Sequence, residues 1–187
     1  MNKKYKILAL FGMSGAGKDT LKEKLLATKG YHKIINSTTR PIRENETDGV
    51  DYHFLSVEDF SLSVVNGDFI EAAEFNHWFY GTSIKELSLD EINVGVFNIY
   101  GIKCMLDDSR LDVIPVYVEA SDKTRLLRAL NREQNPNCDE ICRRYIADKK
   151  DFEKIDFDYY TFDNNNNGNS LSTIDNILRM SALGYLY

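Results

Sequence analysis

Nine residues restrict this chain more than any others: Gly12-Met13-Ser14-Gly15-Ala16-Gly17-Lys18-Asp19-Thr20. They follow the pattern G-x-x-x-x-G-K-[ST] through Gly12, Gly17 and Lys18, with Asp19 where a hydroxyl is expected and Thr20 one place late. The apolar run Tyr5–Phe11 before them reads as a buried parallel strand. After them, Leu21 and Leu25 stand four apart, with Lys22 and Lys24 turned elsewhere, which predicts a short amphipathic helix over Thr20–Ala27. Strand, glycine loop and helix together form a phosphate cradle. Glycines let the backbone approach an anion, and the loop amides and helix N-terminus supply partial positive charge. Lys18 can reach the β- and γ-phosphates of a nucleoside triphosphate. A plain turn has no use for that buried-side charge. The expected nucleotide-binding residues are Gly12, Met13, Ser14, Gly15, Ala16, Gly17, Lys18, Asp19 and Thr20.

Size and composition narrow the rest. At 187 residues, the chain suits one domain with a real core. Its formal charge of -6 disfavours general nucleic-acid binding but leaves room for a local arginine cluster. Cys104, Cys138 and Cys142 make no disulfide framework, and His32, His53 and His77 are too scattered to complete a zinc site. That usage suits the reducing cytoplasm. No run approaches the roughly 20 apolar residues of a membrane-spanning helix, so no membrane partner is expected. Met1-Asn2-Lys3-Lys4 leads straight into a strand and does not resemble a signal peptide. The Asn-rich stretch Asp163–Asn169 reads as an exposed loop.

Further strands are expected at Tyr31–Ile35, Asp51–Leu55, Phe69–Phe75, Val94–Ile99 and Phe157–Phe162. Val113–Val118 is another, and Pro115 inside it suggests an irregularity or an edge position. Helices are expected from Ser56, as N-cap, to Gly67, from Thr82 or Ser83 to Leu87, and over Gly101–Asp107, Asp122–Arg132, Asp139–Ile155 and Leu171–Met180. Trp78 and Phe79 read as packing aromatics. The mostly β-α order, with a mixed insertion near residues 37–90, predicts an α/β fold: a parallel sheet with helices on both faces.

Two further runs carry a resemblance. One is Ser37-Thr38-Thr39-Arg40-Pro41-Ile42-Arg43, continuing to Asp48-Gly49-Val50-Asp51-Tyr52-His53-Phe54. The other is Gly67-Asp68-Phe69-Ile70-Glu71, with Phe75 and Tyr80-Gly81-Thr82. With the glycine loop, they make the chain resemble a guanylate kinase, one of the P-loop nucleoside monophosphate kinases. The match is dense over residues 5–90 and thinner beyond, through Arg128, Arg132 and Arg144. The resemblance implies a three-layer α/β/α sandwich with a central parallel sheet, an inserted monophosphate-binding subdomain and a small helical lid. The core would span 1–36, 91–127 and 147–187, the subdomain 37–90 and the lid 128–146.

The resemblance also implies roles. Arg40, Arg43, Tyr52 and Tyr80 would grip the acceptor phosphate, Glu71 would read the guanine edge and Thr82 would contact the base. Asn36, Ser37 and Asn98 fall in the same acceptor site. Lys18, Arg40, Arg43, Arg132 and Arg144 would act on the transferring phosphoryl group, with Arg128 and Arg143 close enough to share the lid role. ATP and Mg²⁺ are the implied cofactors, and a monomer or weak homodimer the implied state. The chemistry is sound on its own terms. Paired arginines clamp a phosphate bidentately, and a carboxylate accepts from guanine N1 and its exocyclic amine where adenine offers no such pair.

The chain also departs from the pattern. Asp19 replaces the hydroxyl expected beside Mg²⁺, for which a carboxylate oxygen is also a good ligand. The run Gly-Lys-Asp-Thr is similar to loops of some phage and bacterial nucleotide kinases. Asn36 stands where serine is usual and Asn98 near where an aspartate is. Arg132-Glu133-Gln134-Asn135-Pro136-Asn137 replaces a glycine turn in the lid. The expected activity is ATP-dependent phosphorylation of GMP or dGMP. Two other readings stay open: a deoxynucleoside monophosphate kinase with shifted base preference, and an inactive protein-binding module.

Overall fold

The structure is a computed structural model that describes residues 3–75, 77–132, 134–165 and 171–184. Its centre is strand β1 (Tyr5–Phe11), in which Ile7 through Phe11 are fully buried. Full burial on both faces is what a continuous apolar run in a parallel sheet requires. The expected helix follows as α1 (Lys18–Leu26), and the next strand, β2 (Tyr31–Lys33), is shorter than predicted. The other members of the main sheet are β7 (Ile92–Val96), β8 (Leu111–Glu119) and β9 (Tyr160–Asp163), once the intervening β3–β6 are counted. The order is β2-β7-β1-β8-β9, and every pairing is parallel.

Alternation along β1 splits the core into two layers. Leu8 and Leu10 face Leu21 and Leu25 of α1 and Ile174 and Ile177 of helix α6 (Leu171–Ala182). Ile7, Ala9 and Phe11 face the other way, toward Ile102 and Met105 of helix α3 (Ile99–Leu106). Helices therefore cover both faces of a parallel sheet, as the β-α order predicts. Helices α4 (Asp122–Leu130) and α5 (Cys138–Asp151) follow β8, and their mutual packing sets them beside the glycine loop.

The insertion folds as a second sheet. Its strands are β3 (Ser37–Thr38), β4 (His53–Phe54), β5 (Phe69–Phe75) and β6 (Trp78–Ser83), in the order β4-β3-β6-β5. Helix α2 (Val57–Val65) lies between β4 and β5 in sequence, and its Phe60 packs on Phe69 and Phe79. Ile70 and Leu87 join the α3 side of the main core, which ties the second sheet to the first.

Some expectations need correction. Strand β8 lies between β1 and β9 and is not an edge. Pro115 is tolerated because the β9 ladder begins only at Val116, so at Pro115 the strand has a partner in β1 alone. The helix expected up to Leu87 is one 3-10 turn, Ile84–Glu86, capped by Ser83. The strand expected from Phe157 begins at Tyr160, the long helix ends at Asp151 rather than Ile155, and α3 starts at Ile99, two residues early, because Asn98 caps it. Residues 166–169 of the Asn-rich stretch, Glu133 and the Phe75 side chain lie outside what is described.

Leu25 is 1% exposed beneath β1 and β7. Leu25→Ala should cost about 3 kcal/mol, the usual range for a fully buried leucine, read as a lower midpoint in urea unfolding.

Candidate active site

The glycine loop joins the end of β1 to α1, and its shape forbids side chains at Gly12, Gly15 and Gly17. Gly12 has φ +143°, and a Cβ there would stand 2.5 Å from the Val118 carbonyl oxygen. Gly17 is left-handed at φ +95° and forms the N-cap of α1 with no side-chain cap. Elsewhere caps are supplied: Ser56 bonds the Asp59 amide, Asn98 the Gly101 amide, Ser121 the Thr124 amide and Asn137 the Glu140 amide. The first turn of α1 thus keeps its amides for something other than its own chain.

Side chains hold the carbonyls of the loop. Lys18 Nζ donates to Gly12 O at 2.7 Å and Met13 O at 3.1 Å. Arg128 Nη1 donates to Ala16 O at 3.1 Å, Asn164 Nδ2 donates to the same oxygen at 2.7 Å, and Arg128 Nη2 donates to Asn164 O at 2.8 Å. Burial pulls the Lys18 ammonium below its ordinary range, and the carboxylates of Asp19 and Asp148 oppose that shift. Gly12 and Ala16 are buried beneath the loop, whereas Asp19 and Thr20 are exposed.

Beside the loop is a cavity of about 540 Å³. Ser14, Gly15, Gly17, Lys18, Asp19 and Thr20 line one wall, and Arg128, Arg132, Arg144 and Tyr145 of the α4–α5 region line the other. Arg144 and Arg143 both donate to Glu140, which holds that carboxyl down at about 2. Arg125, only 3% exposed, lies under the same wall between Asp122 at 2.9 Å and Asp148 at 3.2 Å, with its guanidinium over the Tyr145 ring.

The second sheet brings two groups of predicted residues together. In one, the Arg40 guanidinium lies over the Tyr52 ring at 5.5 Å, shares a hydrogen bond with Tyr80 and donates to Glu46 at 2.7 Å. The Glu46 carboxyl is held low by that Arg40 bond, and its other oxygen accepts from the Arg43 amide at 2.9 Å. The Arg43 side chain is exposed. In the other group, Thr82 Oγ1 lies 2.6 Å from Glu71 Oε1, to which it donates, and 3.1 Å from Asn36 Oδ1. Ser37 and Thr82 are buried in the sheet. Asn98 Oδ1 accepts from the Gly101 amide at 2.7 Å, and a Cβ on Gly101 would lie 3.5 Å from Glu71 Oε2, so glycine leaves room beside that carboxylate. Burial raises the Glu71 carboxyl above its ordinary range despite the Thr82 bonds. Burial raises the Tyr52 hydroxyl above its ordinary range, with smaller electrostatic contributions led by Tyr80.

Glu46, Arg125, Asp148 and the clamp role of Asn164 were not singled out from sequence. One cue exists: Arg125 and Arg128 stand three apart and share a face of α4, with Arg132 just past its end. Nothing comparable marks Glu46 or Asp148.

The guanylate kinase family model matches residues 4–181. A guanylate kinase of Helicobacter hepaticus is 34% identical over 162 residues, covering 82% of this chain and 80% of the relative. One of Wigglesworthia glossinidia brevipalpis is 32% identical, covering 92% and 87%. The crystal structure of guanylate kinase from Anaplasma phagocytophilum superposes with a TM-score of 0.67 at 22% identity, over 96% of this chain and 87% of that one, and so shares the fold. The chain belongs to the guanylate kinase family.

The state of Glu71 gives a stability test. Its folded pKa is raised, so the folded protein favours the neutral acid. That contribution is fully present below the ordinary value of 4.5 and is lost as pH rises through the folded value. Glu71→Gln should therefore raise the melting temperature at pH 7 and lose that advantage below pH ~4, as calorimetry at both pH values would report.

Proposed function

We propose that this chain transfers the terminal phosphoryl group of ATP to GMP, and to dGMP, in the cytoplasm. The observation that carries the reading is the presence in one chain of an uncapped glycine loop and, in the second sheet, a buried carboxylate held by Thr82. The donor's phosphates bind the loop amides and the N-terminus of α1, with Lys18 and Arg128 beside them. The acceptor's phosphate binds Arg40, Arg43, Tyr52 and Tyr80, where Glu46 already holds Arg40 in a fixed orientation. Guanine presents two N–H donors to Glu71, which offset the cost of burying its charge. Thr82 orients that carboxylate from behind, and Asn36 Oδ1 lies against the same hydroxyl.

Phosphoryl transfer asks for alignment and charge neutralisation rather than covalent chemistry, so no side chain needs to act as a base. Mg²⁺ carried with ATP supplies part of the neutralisation. Asp19 suits it as a hard oxygen ligand: its carboxylate is 75% exposed at the cavity rim, and its ion pair to Lys22 is loose at 3.7 Å. Among the described residues no cluster of three potential ligands exists, which fits a metal completed by the donor's phosphates and water. Residues 128–146 serve as a lid, with Arg132 and Arg144 brought onto the transferring group as it closes and water is excluded. Residues 37–90 carry the acceptor toward the core. The protein works as a monomer or weak homodimer. Asn98 spends its side-chain oxygen on the cap of α3.

A coupled assay with ATP, Mg²⁺ and each ribo- and deoxynucleoside monophosphate should show turnover with GMP and dGMP. Turnover with none would end the kinase reading, and equal turnover of AMP would end the role of Glu71. Lys18→Ala should lower kcat roughly 100-fold or more with an unchanged melting temperature. Glu71→Gln should raise KM for GMP well above any change in KM for ATP, and equal changes would contradict the assignment.

A further inference from the structure

The Ser14 amide belongs to the loop assigned above to phosphate, yet it donates to the Asp148 carboxylate from α5 at 2.6 Å. The same carboxylate accepts from Arg125 Nη1 at 3.2 Å, and its second oxygen lies 3.3 Å from Ser14 Oγ. A carboxylate held by a backbone amide, a hydroxyl and a guanidinium has the partners that a phosphate oxygen would have. Asp148 lines the same cavity as Lys18 and Arg128 and acts electrostatically on the Lys18 ammonium. Arg125 is anchored independently by Asp122 and Tyr145 and donates to Ser14 O as well. It would therefore stay in place if the Asp148 bond were released. Asp148 sits on the helix that ends the lid segment, so the bond also joins that segment to the loop.

We propose that Asp148 is a positioning residue of the donor site whose carboxylate competes with the donor's phosphates for the Ser14 amide and Arg125. The proposal rests on the reading of the loop as the ATP site. Binding of the triphosphate displaces Asp148, releases α5 from the loop and leaves Arg125 facing the phosphates. Part of the donor's binding free energy is spent on that release, so the carboxylate weakens donor affinity and links donor binding to movement of the lid segment. A purely structural clamp would act in the opposite sense: its loss would loosen the loop and weaken binding.

Titration calorimetry with AMP-PNP and Mg²⁺, and separately with GMP, tests the sign. Asp148→Asn keeps the shape and an acceptor for Ser14 but removes the charge. It should tighten AMP-PNP roughly tenfold, the effect of lifting one like charge from a half-buried anion site, and leave GMP unchanged. KM for ATP should fall in parallel without a rise in kcat. Unchanged or weaker AMP-PNP binding overturns the proposal. The wild-type protein gives a second readout that needs no variant. In a ¹⁵N spectrum the Ser14 amide should move on saturation with AMP-PNP, and GMP alone should leave it in place. A Ser14 resonance that stays put while those of Gly15–Lys18 move refutes the competition and spares the ATP site. If no loop resonance responds, the ATP site falls and this proposal with it.

Discussion

A loop that is to hold phosphates must keep its amides away from its own carbonyls, and that leaves the carbonyls in need of donors. Here most of the donors are side chains, and the Ala16 amide bonds Met13 O within the loop. Ala16 O is bonded by Arg128 of α4 and by Asn164 just past β9, and Arg128 is bonded in turn to Asn164 O. Lys18 closes the other side through Gly12 O and Met13 O. Each anchor depends on the main sheet. Val118 of β8 stands so close to Gly12 that no side chain fits, and Asn164 is presented by the neighbouring strand β9. Loop geometry is thus a property of β1, β8, β9 and α4 together, not of nine residues alone.

The acceptor side works by the opposite device. The loop exposes backbone donors. The second sheet buries a carboxylate, which costs free energy until it is matched. Thr82 offsets part of the cost for Glu71. Small residues do the rest: Gly101 at the start of α3 leaves space next to Glu71 Oε2 that any Cβ would narrow. Because Ile70, next to Glu71, packs in the α3 side of the main core, the carboxylate is held relative to α3 and β1 rather than carried on a free flap.

Features written in consecutive residues could be read from the sequence. The strand-loop-helix unit, the full burial of Ile7–Phe11 at its centre and the cap at Ser56 are local patterns. So are the motif runs that carry the family. Features set by packing between distant elements could not. Pro115 argues for an edge on propensity alone, and only the late start of β9 shows why a central strand tolerates it. Glu46 is an unremarkable acid in a charged loop until Arg40 folds onto it. Asp148 lies 134 residues from Ser14, and their bond exists only because α5 packs on α4 above the loop. Arg125 looks like a solvated helix residue, yet it is 3% exposed because two carboxylates and a tyrosine ring enclose it.

Charge shows the same contrast between composition and place. A chain at -6 gives no hint of an anion site, yet the loop cavity gathers Lys18, Arg125, Arg128, Arg132 and Arg144 against Asp19, Glu140 and Asp148. That is five cations against three carboxylates, a local surplus of positive charge within an acidic surface. Four of those cations are already engaged: Arg144 with Glu140, Arg125 with Asp148, and Lys18 and Arg128 with backbone carbonyls. A triphosphate entering the cavity therefore exchanges partners more than it finds unpaired ones. On the proposed function, the small surplus leaves much of its charge to a cation brought with it, which the exposed Asp19 at the rim would attract. The substitution that breaks the loop pattern is consistent with this balance, since a carboxylate is tolerable there only where the incoming anion arrives already partly neutralised.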